Sequence, residues 1–122
     1  MELMPNKNSL FEIKFADQFK QDIKRLAKKY RQIKSDIKPI IEQLELGELI
    51  GVRIPETNDI FYKVRIKNSD IQKGKSGGYR LIYHVQGSTI IIMMTIYTKS
   101  EKEDISAKRI REILAEYENN NQ

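Results

Sequence analysis

Nine consecutive residues, Thr89 to Tyr97 (TIIIMMTIY), are apolar on both phases of a strand's alternation. A strand with one wet face alternates apolar with polar, so a run without alternation belongs inside a sheet and not at its rim. The run is also far short of the roughly 18 to 20 apolar residues a membrane helix needs. It therefore demands neighbours on both sides, and the chain supplies them. Phe61 to Val85 (FYKVRIKNSDIQKGKSGGYRLIYHV) reads as two strands, 60–67 and 78–85, around a polar loop. The turn signal VQGST then joins the second of these to the apolar run as an antiparallel pair.

The segments upstream and downstream carry other periods. SLFEIKF at 9–15 alternates Leu10, Glu12 and Lys14 against Phe11, Ile13 and Phe15, a short strand with one apolar face. Asp17 stands where a helix N-cap is expected. Phe19, Ile23, Leu26, Ala27 and Tyr30 then recur at helical spacing, with lysines and an arginine between them. Ile33, Ile37, Ile40, Ile41 and Leu44 predict a second helix over roughly 33–46, bent at Pro39. The stretch 47–59 reads as a connecting loop with a short extended piece. Ile110, Ile113, Leu114 and Tyr117 place a last helix behind a Ser106 cap, and the tail NNNQ is expected to fray. The expected class is α+β: a small antiparallel sheet packed against an N-terminal helical hairpin, with a C-terminal helix, in one domain spanning 1–122.

Charge narrows the function. The net charge is +5, and residues 60–85 contain Lys63, Arg65, Lys67, Lys73, Lys75 and Arg80 against Asp70 alone. The whole excess sits on the strand pair. Alternation sends Lys63, Arg65 and Lys67 one way and Tyr62, Val64 and Ile66 the other. Matching the strands by charge adds Arg80, and His84 in the same phase, to one surface. Basic residues on a strand face are often only a guard against edge pairing, but such a face usually mixes signs. A single-sign cluster is the footprint of a surface that meets phosphate or an acidic protein.

Other chemistries find less support. There is no cysteine and a single histidine, His84, so neither a thiolate site nor a histidine pair exists, and no metal or cofactor is expected. A lone strand histidine is more often a packing residue than an acid or base. GKSGG at 74–78 lacks the glycine spacing of a phosphate loop and joins two strands. Glu101, Glu103 and Asp104, interleaved with Lys99 and Lys102, read as a charge pattern at a helix entry. The N-terminus lacks the order of a secretory signal, and with no cysteine the cytoplasm is the expected location, away from any membrane.

The combination of FKQDIKRLAKKY, YKVRIK, SGGYRLIYHV and KSEKEDIS resembles the RelE/ParE superfamily of toxins from bacterial type II toxin–antitoxin systems, over nearly the whole chain. The resemblance implies a RelE-like fold, a nearby-encoded antitoxin as partner, and an mRNA interferase that cuts messenger RNA on the ribosome without a metal. It carries Lys63 and Arg65 onto the family's basic pair and Arg80 onto its GYR arginine, with Lys63 as proton acceptor and the arginines as phosphate stabilisers. His84, Tyr97 or Lys99 would serve as further acid or base, and Lys67, Lys73, Lys75 and Lys102 would hold RNA backbone. Ser100 and Ser106 stand near positions where some RelE-like enzymes have arginine and tyrosine, which leaves the leaving-group acid open. The resemblance also implies two alternatives, a ParE-like toxin that blocks DNA gyrase and an inactive antitoxin-binding regulator.

Overall fold

The structure is a computed structural model describing residues 10–55, 58–71 and 77–121. The elements run β1 (Glu12–Phe15), α1 (Asp17–Ala27), α2 (Ile33–Glu45), β2 (Val52–Arg53), β3 (Ile60–Ile66), β4 (Tyr79–Gln86), β5 (Ile90–Thr98) and α3 (Ala107–Asn120). The strands form one sheet in the order β1-β5-β4-β3-β2. β5, the strand without alternation, is paired on both sides, as its composition requires.

Pairing is antiparallel from β2 to β5, but β1 runs parallel to β5, with Glu12 opposite Ile90 and Phe15 opposite Met93. The sheet is thus mixed at one edge. Two helices intervene after β1, long enough for a crossover, so no tight turn forces it to run antiparallel to a neighbour. Between β4 and β5, Gly87 takes φ 62, the left-handed geometry a tight hairpin turn needs. One residue more lies on β5 than on β4: Tyr83 faces Met93 and Ile82 faces Thr95, leaving Met94 as a bulge.

Alternation along β3 and β4 divides two cores. On one face Val64, Ile66, Tyr79, Leu81, Tyr83 and Val85 pack beneath Phe19, Leu26, Ile33, Ile37 and Leu44 of the α1–α2 hairpin. On the other, Phe61, Ile82, Ile92, Met94 and Tyr97 meet Ile110, Ile113 and Leu114 of α3. Helices therefore cover both faces, and the last helix lies on the side that carries the basic residues. Each such buried aliphatic side chain contributes about 1.5–3 kcal/mol relative to exposure.

Local signals were met unevenly. Ser106 caps α3, its Oγ accepting from Arg109 N at 3.1 Å. Asp17 does not cap α1: it is the first helical residue, Ala16 holds the cap position, and the Asp17 carboxylate accepts from Asn120 Nδ2 at 3.2 Å. Its charge still suits the helix's positive end. α3 runs on through Asn119 and Asn120, where fraying was expected. Gln122 lies outside the described residues. α2 passes through Pro39 despite the lost backbone bond, held by Ile33, Ile37 and Leu44, all buried. No helix among the described residues is long and apolar enough to cross a membrane.

Candidate functional site

The register of β3 and β4 places Arg65 directly opposite Arg80 and Lys63 opposite Ile82, while Arg80 faces Tyr97 on β5. Lys63, Arg65 and Arg80 thereby share one end of the α3-side face, bordered by Tyr97, which also packs in the α3 core. Like charges directly across a strand pair are destabilising. The register thus sets two guanidinium groups side by side on this face.

The cluster is graded by burial. Arg65 is exposed and Lys63 half-buried, whereas Arg80 is only 6% exposed and donates from Nη1 to the Tyr79 carbonyl at 3.4 Å. Tyr97 is 1% exposed, and burial pushes its phenol up to about 12, with the Asp104 charge adding to the rise and Arg80 opposing it. The Tyr97 hydroxyl therefore keeps its proton through the neutral range. Lys102 Nζ stands 5.5 Å from the centre of the Tyr97 ring.

An acid read from the sequence as a helix-entry charge completes the cluster. Asp104 Oδ1 accepts from Lys63 Nζ at 3.2 Å, from the Tyr97 hydroxyl at 3.5 Å and from the Ile105 N–H at 2.9 Å. Partial burial raises the Asp104 carboxyl, but the Ile105 N–H and the Lys63 ammonium outweigh it and hold the group below its ordinary value. One carboxylate oxygen thus meets three donors. No signal in the sequence ties Asp104 to Lys63, 41 residues earlier.

A second buried arrangement positions this corner. Asp22 of α1 is 2% exposed and accepts from Gln18 Nε2, Arg25 Nη1, the Thr95 hydroxyl and the Ile96 N–H. The last two belong to β5 just past its bulge, so the carboxylate satisfies backbone and hydroxyl groups beside the irregularity. Arg25 continues to Glu101 at 3.0 Å, and Glu101 accepts from Thr98 N at 2.9 Å. Burial pushes the Glu101 carboxyl up, yet the Arg25 guanidinium and the Thr98 bonds hold it below its usual range. The turn after β5, which carries Lys99, Lys102 and Asp104, is fastened to α1 by this chain of contacts. Asp22 had a sequence signal: with Phe19 and Leu26 it lies at i, i+3 and i+7, a carboxylate on the buried stripe of α1.

The remaining expected residues scatter. His84 shares the face but is 5% exposed, packs its ring 5.0 Å from Phe61 and bonds the Ile60 carbonyl through Nδ1 at 2.9 Å. It stands four residues along β4 from Arg80, roughly 13 Å by strand rise. Lys67, Lys99 and Lys102 are exposed around the cluster. Lys73 and Lys75 lie outside the described residues. Asp70, the single acid of the 60–85 segment, points elsewhere: it accepts from Gln32 N at the start of α2, while Asp36 accepts from Ser69 N. Its charge is thus engaged away from the arginines. Where the chain re-enters β4, a Cβ on Gly78 would lie 2.0 Å from the Ile66 carbonyl, so the return to the sheet requires glycine. Beside Lys63 and Arg65 an open groove of about 790 Å³ runs along β3, lined also by Ile40, Gln43, Ile50 and Val52.

Among the described residues no three His, Asp or Glu side chains converge as metal ligands. What the cluster offers is cationic and hydrogen-bond-donating chemistry: two arginines, a lysine and a phenol that keeps its proton. Among curated proteins no sequence matches this chain. A family model described as the ParE toxin of the type II toxin–antitoxin system, parDE, matches residues 13–103, from β1 through the turn that follows β5.

Proposed function

The chain belongs to the ParE toxin family of type II toxin–antitoxin systems, and from that premise we propose that it is an endoribonuclease directed at messenger RNA on the ribosome. Membership implies a cognate antitoxin as partner. The observation that carries the nuclease reading is the Arg65–Arg80 pair across β3 and β4, with Lys63 and Tyr97 beside it. A pentacovalent phosphorane carries extra negative charge on its equatorial oxygens, and preorganised guanidinium groups in a partly dry site are suited to it.

In this scheme the ribose 2′-oxygen attacks the adjacent phosphorus, the P–O2′ bond forms, and the P–O5′ bond breaks to leave a 2′,3′-cyclic phosphate. Arg65 and Arg80 hold the phosphate oxygens. Lys63, once it has left Asp104 and given its own proton to solvent, takes the 2′ proton as a free amine, and the Tyr97 hydroxyl gives a proton to the departing 5′-oxygen, with Lys99 the other donor at that end. Lys67 and Lys102 grip the RNA backbone, together with Lys73 and Lys75. No metal enters the scheme. The whole chain, 1–122, works as one toxin domain in the cytoplasm, where its ribosomal substrate lies.

A second reading has its own observation. Lys63 is engaged by Asp104 in a salt bridge at 3.2 Å, and a basic face that binds without proton transfer suits a toxin that blocks DNA gyrase. Primer extension on a defined message in a purified translation reaction separates the two, run with and without ribosomes and beside a gyrase supercoiling assay. New 5′ ends that need ribosomes, fall at least 100-fold in Arg65→Ala and persist weakly in Arg80→Lys support the nuclease (~10²–10³ for loss of one charge-stabilising donor). An intact message with supercoiling blocked overturns it in favour of gyrase; an effect on neither leaves an antitoxin-binding regulator.

A further inference from the structure

The Asp104 carboxylate occupies the basic cluster from within the chain. Its Oδ1 lies 3.2 Å from Lys63 Nζ and 3.5 Å from the Tyr97 hydroxyl, two of the donors a phosphate oxygen would meet there. The pair is poorly shielded, the side chains of Lys63 and Asp104 being 35% and 64% exposed, so it belongs to the class of weak, exchangeable ion pairs. The backbone around it is held differently on its two sides. Upstream, Glu101 ties the turn to Arg25 and to Thr98 N; downstream, Ser106 caps α3. Between those fixed points lie Lys102, Glu103, Asp104 and Ile105, and Asp104 is the acid of that span that reaches into the cluster.

We propose that Asp104 is a built-in competitor of the anionic ligand, holding Lys63 in the empty protein and swinging out when a phosphodiester enters. The proposal rests on the reading of the basic face as a phosphate site and adds how that site is guarded. Displacement requires only that one carboxylate leave for water, where its charge is well solvated, while the phosphate takes over Lys63 and Tyr97 and adds Arg65 and Arg80. An incoming ligand must supply more charge than a single carboxylate, which favours a polyanion such as RNA over acidic side chains presented singly. Lys102, whose Nζ stands 5.5 Å from the centre of the Tyr97 ring, adds a cation beside the site.

The test measures binding of a short single-stranded RNA carrying 2′-methoxy groups, which cannot be cleaved, by fluorescence anisotropy. The proteins are the wild type and the variants Asp104→Asn, Glu103→Gln and Arg65→Ala. Asp104→Asn and Glu103→Gln remove the same charge one residue apart, so a general field effect tightens both equally. Displacement predicts that Asp104→Asn binds about two- to fivefold tighter than Glu103→Gln, the range an exposed ion pair can contribute. Carbon-detected titration of the Asp104 carboxyl adds a readout of the pair itself. Its proton affinity, depressed in the free protein by the Ile105 N–H and by Lys63, rises in the RNA complex if Lys63 has let go. Equal binding by the two charge-removing variants, or an Asp104 carboxyl whose proton affinity is the same with and without saturating RNA, overturns the proposal. Loss of binding in Arg65→Ala alongside either result sinks the guard alone. Wild-type binding in Arg65→Ala removes the basic face as the phosphate site, and the guard with it.

Discussion

The two faces of the sheet come from the same strands and are used in different ways. Beneath the α1–α2 hairpin, every inward residue of β4 from Tyr79 to Val85 is apolar and buried. Beneath α3 the same strand presents Arg80, Ile82 and His84, of which Ile82 joins the α3 core and His84 is buried against Phe61. On the hairpin face, β3 and β4 contribute packing residues. The α3 face is divided lengthwise: one end is core, and the other holds cations that repel one another. A sheet of this size can carry a costly cluster because its opposite face supplies extensive apolar burial.

The sharpest way to break this comparison is at Asp22, the polar group inside the hairpin layer. Asp22→Ala strands the Thr95 hydroxyl and the Ile96 N–H beside the β5 bulge and should lower stability by about 3 kcal/mol or more in urea denaturation. A loss below 1 kcal/mol would mean that water or a shifted bulge satisfies those groups. Next come neighbouring residues that point to opposite layers. Leu81→Ala should remove about 3 kcal/mol of global stability, and Ile110→Ala about 2 kcal/mol, within the usual range for buried aliphatic truncation. Hydrogen exchange should show α3 amides opening first in Ile110→Ala, since α3 touches the sheet along one core only. Uniform exchange across both layers would make the two faces a single cooperative unit.

Smaller effects belong to single contacts. Ser106→Ala should cost about 1 kcal/mol, the worth of a helix N-cap, read as a lower melting temperature. Arg65→Ala should move the other way, raising stability by ~0.2–1 kcal/mol as the cross-strand repulsion with Arg80 is relieved. Destabilisation by Arg65→Ala would show that its stem packs usefully along the β3 groove and that the cluster is not held at a cost.

Much of this architecture can be read from residue order. A nine-residue run with apolar residues on both phases placed β5 inside the sheet, and alternation around Lys63, Arg65 and Arg80 placed them on one face. The short extended piece within 47–59 is β2, and Ser106 caps the helix it was expected to cap. Other readings failed for identifiable reasons. Asp17 is a good capping residue by type, but the chain enters α1 from β1 through Ala16, which is itself buried against the α3 core. His84 shares a phase with Arg80, yet phase carries no information about distance along the strand or about what lies on top. The acids after β5 read as local charge because their partners, Arg25 and Lys63, are 76 and 41 residues away.

What the sequence determined by itself, then, was local: the order of elements, the faces of each strand, the confinement of the net positive charge to β3, β4 and their loop, and kinship with the toxin superfamily. Periodicity and capping act over a few residues, and charge counting needs no geometry. Only the tertiary structure decided that β1 runs parallel to β5, that α3 covers part of the basic face, that Asp22 sustains a bulge 73 residues later, and that Asp104 lies against Lys63. Each of these depends on which surfaces meet once the two cores are buried, and alternation specifies only which side a residue faces.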